Sequence, residues 1–153
     1  MVIYRDIQKE FDRLLPHFRV FVVTGPRQSG KTTLCKNHFP EYVYFNLEEV
    51  SVREQITVAP KHFLEQYAPK GIIIDEAQHY PELFSYIQVV ADEHPDYRFV
   101  LTGSNNFALM HHISQSLAGR VAFAAIACRI TGTTKRRYRY AYAQRWFSSC
   151  MGQ

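Results

Sequence analysis

The chain has 153 residues, of which 46% are apolar and 21% charged, with a formal net charge of +4; that is most simply one domain with a real core. No apolar run approaches membrane-spanning length, and Met1 leads into an amphipathic segment, so neither a membrane contact nor a signal peptide is expected. Three cysteines (Cys35, Cys128, Cys150) lack paired or metal-type spacing, and an odd count without a leader predicts reduced thiols in a cytoplasmic protein.

The first segment places Ile7, Phe11, Leu14 and Leu15 on one helical stripe that should pack on a sheet. Residues 19–24 follow as a β-branched and aromatic run that reads as a buried strand. Directly after it comes Gly25-Pro26-Arg27-Gln28-Ser29-Gly30-Lys31-Thr32-Thr33, which fits the phosphate-binding pattern G-x-x-x-x-G-K-[ST]. Residues 32–39 can then continue as a helix until Pro40 stops it. This order is what phosphate binding requires. Two glycines let the backbone fold closely around phosphate oxygens, and the loop N–H groups and helix N-terminus direct partial positive charge at them. Lys31 is expected to reach terminal phosphates, and Thr32 to offer its hydroxyl to a magnesium ion.

Residues 41–47 read as a second strand, and Ser51 with Glu54 forms a capping-box pattern for a short helix. Pro60 and Pro81 each stand where a helix can begin, followed by Phe63, Leu64 and Tyr67, and by Leu83, Phe84, Ile87 and Val90. Between those helices, Gly71-Ile72-Ile73-Ile74-Asp75-Glu76 is an apolar strand ending in two acids, as expected where a buried parallel strand emerges at its C-terminal edge. Asp75 would hold the magnesium, directly or through water, and Glu76 would orient and polarise an attacking water. A solvated acidic turn is the plainer alternative.

A third strand, residues 97–102, ends in Gly103-Ser104-Asn105-Asn106. If it is inserted between the strands of the first two motifs, Ser104 or Asn105 could sense the terminal phosphate, although either could equally be a helix cap. A helix is expected next, with Leu109, Ile113 and Leu117 at four-residue spacing. His111 and His112 are neighbours that face different directions on such a helix, so they read as surface residues and not as a metal pair. Residues 120–126 supply a fifth strand. Alternating strands and helices imply an α/β three-layer sandwich around a mostly parallel five-stranded sheet.

These residues resemble a known family, the AAA-type P-loop ATPases of bacteria and archaea. The resemblance rests on the phosphate loop, on Ile73-Ile74-Asp75-Glu76-Ala77-Gln78, on Leu101-Thr102-Gly103-Ser104 and on Ser116-Leu117-Ala118-Gly119-Arg120-Val121, in the family's order over roughly residues 1–123. It implies a P-loop sheet in which an added strand separates those of the first two motifs, and ATP with Mg2+ as the ligand. It also implies that Arg120 occupies the family's Gly-Arg motif, where it would serve the terminal phosphate as an arginine finger does, or form a structural ion pair. Asp75-Glu76-Ala77-Gln78 is similar as well to the second motif of helicases. The 43 residues between Lys31 and Asp75 are few for a helicase core, and Thr102-Gly103-Ser104 replaces the helicase Ser-Ala-Thr.

The charge changes abruptly after the last motif. Residues 1–120 hold 12 Lys+Arg against 14 Asp+Glu, whereas residues 121–153 hold 6 Lys+Arg and no acid. The division expected is therefore a P-loop domain over residues 1–126 and a basic aromatic tail over 127–153. In that tail Lys135, Arg136, Arg137 and Arg139, interleaved with tyrosines, could contact nucleic acid through phosphates and stacking. The tail could also be solvated without a partner. The reading favoured here is that the frame is lost near residue 123, because family pattern, acid content and periodicity lapse together. The functional expectation is an ATP-binding P-loop protein with hydrolysis that the missing lid would impair, the alternative being a non-enzymatic nucleotide-binding module.

Overall fold

A computed structural model describes residues 3–104, 111–113, 115, 117, 121–129 and 137–141, of which 3–7, 125–129 and 137–141 are described by backbone alone. Helix α1 (Ile3–Leu14) leads to strand β1 (Val20–Thr24), and helix α2 (Lys31–His38) follows the loop. Strand β2 (Val43–Asn46), helices α3 (Val50–Val58) and α4 (Pro60–Tyr67), strand β3 (Ile72–Asp75), helix α5 (Leu83–Glu93) and strand β4 (Phe99–Gly103) come next. Strands β5 (Val121–Arg129) and β6 (Arg137–Ala141) end the described chain.

The sheet order is β2-β3-β4-β1-β5-β6. The first five strands pair in parallel, and β6 adds antiparallel to β5. The mostly parallel sheet is as read from the sequence, with β4 inserted between β1 and β3. Two features differ. Strand β5 runs from Val121 to Arg129, across residue 126, and β6 adds a sixth strand within the segment expected to be tail. The capping pattern of Ser51 and Glu54 is not used: α3 begins at Val50, with no side-chain cap bond at Glu49. Asn46 instead accepts a hydrogen bond from the Glu48 N–H at 2.9 Å, and Arg53 donates back to the Glu48 carbonyl at 3.0 Å.

Side chains alternate across the pleat, so the sheet separates two apolar layers. Val20, Val22, Ile72, Ile74, Phe99 and Leu101 face one layer with Ile56 of α3, Phe63 and Leu64 of α4, and Leu83, Phe84, Ile87 and Val90 of α5. Phe21, Val23, Ile73 and Val100 face the other, with Phe11 and Leu14 of α1 and Leu34 and Cys35 of α2. Ile113 and Leu117 are buried in the first layer as their spacing predicts, while His111 and His112 are exposed; Leu109 lies outside the described residues. Burial of this kind is worth roughly 25 cal/mol per Å² of apolar surface and is what holds the strand ends in register.

Gly71 opens β3 with φ +84°, and a Cβ there would stand 2.4 Å from Cε1 of Tyr42. Only glycine lets the chain turn from α4 into the acid-bearing strand beneath that ring. Among the described residues no helix is long and apolar enough to cross a membrane.

Candidate functional site

The sheet order brings the C-terminal ends of β1, β4 and β3 side by side. The loop between β1 and α2 closes on Gly30, whose φ of 84° is left-handed, and Gln28 is also left-handed at φ 59°. Glycine takes that conformation at no steric cost, whereas Gln28 is strained, which is a recurrent feature of ligand-binding loops. The Gly25 N–H donates to the Gly103 carbonyl at 3.3 Å, and the Leu34 N–H to the Gly30 carbonyl at 2.9 Å, tying the loop to β4 and to its own helix.

Lys31 is buried. Its Nζ donates to the carbonyls of Gly25 at 3.0 Å and Pro26 at 2.8 Å, so the ammonium lies folded into the loop. Burial pushes the Lys31 pKa below the ordinary lysine value, opposed by the nearby charges of Glu76 and Asp75. Arg27, by contrast, is exposed and pairs with Glu48 at 2.9 Å.

Asp75 is the centre of the site. Its Oδ2 accepts from Thr32 Oγ1 at 2.6 Å and from the Tyr44 hydroxyl at 2.8 Å. Its Oδ1 accepts from the Glu76 N–H at 3.1 Å and from Thr102 Oγ1. The structure thus joins Thr32 and Asp75, as the motifs predict, and adds Tyr44 and Thr102, which sequence reasoning missed. Thr102 was visible only as a strand residue; its contact depends on β4 lying beside β3. The Tyr44 phenol is pushed above its usual range by burial and then by its bond to Asp75, so it is a neutral donor.

Glu76 adopts a left-handed backbone, φ 53°, directly after β3. Gln78, two residues on, donates through Nε2 to Glu76 Oε2. Ser104 follows β4 at the same edge and is half-buried. Asn105 and Arg120 lie outside the described residues, as do Lys135 and Arg136. Arg137 and Arg139 are described by backbone alone, in β6.

The donors fit a phosphate and a hard cation. Thr32 and Asp75 offer oxygen ligands within reach of one another, the set that Mg2+ prefers. In the loop, Ser29 Oγ is buried with no hydrogen-bond partner among the described residues, and Gln78 Oε1 is in the same position. Buried polar atoms without partners are costly in a protein at rest and call for a ligand or water.

A strand, a glycine-closed loop, a helix starting at a buried lysine, and a hydroxyl–carboxylate pair beneath it define a P-loop ATPase-like protein. The chain belongs to the AAA domain family, which it matches over residues 17–129. It is 34% identical over 128 residues to the uncharacterized proteins Mb2031c of Mycobacterium bovis and Rv2008c of Mycobacterium tuberculosis. Those alignments cover 80% of this chain and 28% of either relative, so the chain spans about 28% of the length of the curated relatives it matches. Its fold is similar to that of a Walker-type ATPase of Pyrococcus abyssi, with a TM-score of 0.61 at 15% identity, covering 81% of this chain and 53% of that one.

Proposed function

We propose that the chain binds ATP with Mg2+ at the Gly25–Thr33 loop and that Glu76 serves hydrolysis of the terminal phosphoryl bond. The observation that carries this reading is the 2.6 Å contact between Thr32 and Asp75 beneath a loop that holds a buried lysine. The N–H groups of residues 27, 28 and 30–33 cradle the phosphates, those of Gly25 and Ser29 being spent on the Gly103 and Pro26 carbonyls, and Lys31 exchanges its two carbonyl partners for phosphate oxygens. Thr32 and Asp75 hold the cation. A magnesium ion held there would supply positive charge against the negative charge that develops on the phosphates.

Glu76 stands at the strand edge, where its carboxylate orients a water and accepts its proton as the oxygen attacks the γ-phosphorus. ADP leaves as the phosphorus–oxygen bond breaks. Gln78 holds one Glu76 oxygen, leaving the other for the water. Ser104, and Arg120 as the resemblance implies, serve the terminal phosphate. A cytoplasmic location, where ATP and magnesium are both supplied, fits this reading.

Titration of fluorescently labelled ATP against wild type and Lys31→Ala is the direct test. Lys31→Ala is expected to lose at least about tenfold in affinity, the scale of one charge-assisted contact; equal affinities would overturn the site. Glu76→Gln is expected to bind ATP and show no steady-state phosphate release. Turnover persisting in that variant would remove Glu76 from its role.

A further inference from the structure

We propose that Tyr44 is a positioning residue for the cation site: its hydroxyl fixes the carboxylate of Asp75 that receives the metal. The inference rests on the ATP–magnesium reading and adds to it a residue outside the phosphate-loop and acidic motifs.

The register of the sheet singles out Tyr44. In the pairing of β2 with β3, Asn46 stands opposite Asp75 and Tyr44 opposite Ile73. Asn46 is the direct neighbour, yet its Oδ1 turns to the Glu48 N–H at 2.9 Å. Tyr44 lies two residues earlier on the same face and is long enough to reach along it, placing its hydroxyl 2.8 Å from Asp75 Oδ2. The ring is held from behind. Lys36, one helical turn after Thr32 on α2, places Nζ 3.4 Å from the ring centroid, a cation–π contact that fixes the phenol between α2 and the sheet.

The four donors to Asp75 come from separate parts of the chain: Thr32 from α2, Tyr44 from β2, Thr102 from β4 and the Glu76 amide from the turn after β3. Thr32 is the donor whose own oxygen is needed by the cation. Tyr44 is therefore the partner of Oδ2 that has no other duty, and it keeps that oxygen aimed at the loop while Thr32 engages the metal. Groups of this kind, which touch a ligand residue and not the metal, commonly change metal affinity by roughly 10–100-fold when removed. Asp75 keeps three other donors here, so the effect belongs at the low end.

The test is Tyr44→Phe, which keeps the ring, its packing and its contact with Lys36 and deletes one hydroxyl. Labelled-ATP affinity is measured with Mg2+ and again in excess EDTA, and the ratio of the two is the readout. The ratio is expected to fall about tenfold in Tyr44→Phe, with the affinity in EDTA reporting that the loop is folded. In an Asp75→Asn background the same substitution is expected to change nothing further. A Tyr44→Phe ratio equal to that of wild type overturns the inference, and so does a loss of equal size in the Asp75→Asn background. Wild type that gains nothing from Mg2+ would overturn the function proposed above together with Tyr44's part in it. Wild type that gains affinity while Tyr44→Phe gains as much would remove Tyr44 alone.

Discussion

Two clusters of charged side chains in this molecule look alike on paper and differ in kind. At the strand edge, Lys31 and Asp75 are each only 4% exposed. Between α4 and α5, Lys61, Glu65, Glu93 and His94 gather in the open, with Lys61 44% and Glu93 45% exposed. Ligand atoms of Glu65, Glu93 and His94 lie within 4.8 Å of one another, a grouping that could suit a metal. Lys61 Nζ already sits 2.8 Å from Glu93 and 3.8 Å from Glu65, so the lysine supplies the positive charge. The first cluster is pinned by burial and by hydrogen bonds: Lys31 is folded onto two loop carbonyls, and Asp75 receives four donors. The second relies on long side chains in water, where ion pairs gain little over their separate hydration. Similar inventories therefore predict different consequences of substitution.

The largest effect is expected at Asp75. Its replacement by alanine leaves Thr32, Tyr44, Thr102 and the Glu76 amide without their shared acceptor. Buried donors stripped of a charged partner cost about 3 kcal/mol together, which should appear as a lower urea midpoint at unchanged slope. A gain in stability would break the comparison, because it would mean that repulsion between Asp75 and Glu76 outweighs the four hydrogen bonds.

Lys31 sharpens the contrast from the other side. Burial lowers its pKa from the ordinary 10.5, so the folded state disfavours the charged form. The penalty is present in full below the folded pKa. Between that value and 10.5 the unfolded chain binds more protons than the folded one, and stability rises with pH. Lys31→Met should therefore melt above wild type at pH 7, with the gap narrowing as pH approaches 10. A constant gap across that range would assign the difference to packing and not to charge. The residue expected to bind phosphate would thus be one that weakens the empty fold, a common arrangement at functional sites.

Most of the site's frame was legible because its signals are local. The spacing of Gly25, Gly30, Lys31 and Thr32, the apolar run into Asp75 and the flanking strand and helix all depend on neighbours in sequence. Strand order was inferable only through resemblance to a family, and what depends on it was hidden. Tyr44 and Thr102 reach Asp75 across 31 and 27 positions of chain, and nothing in their own neighbourhoods distinguishes them from ordinary strand residues. The segment holding the short strand β6 was read as tail because family pattern, acid content and hydrophobic periodicity lapse together before it. Ser51 and Glu54 misled because a capping pattern is two residues long in information. The tight turn after Asn46 started the helix two residues earlier than that pattern requires.

The smallest effect is expected at Lys61. Its ammonium is stabilised by the bond to Glu93, which raises its pKa, the opposite sign to Lys31. That contribution is present in full below the unfolded pKa and fades only as strongly alkaline pH passes the folded value. Yet both partners are near half-exposed, and at 0.15 M salt charges are screened over about 8 Å. Lys61→Ala is therefore expected to leave the thermal midpoint at pH 7 unchanged within error at that salt, and to lower it slightly at low salt. Removing Lys61 also leaves Glu65 and Glu93 close to one another and to His94 without the lysine's charge. Addition of Mn2+ to Lys61→Ala should then raise the low-salt midpoint more than it does in wild type. If Lys61→Ala instead costs as much as Asp75→Ala, the distinction between a pinned and a solvated cluster fails, and α4 and α5 are held together by charge as much as by Phe63, Leu64 and Phe84.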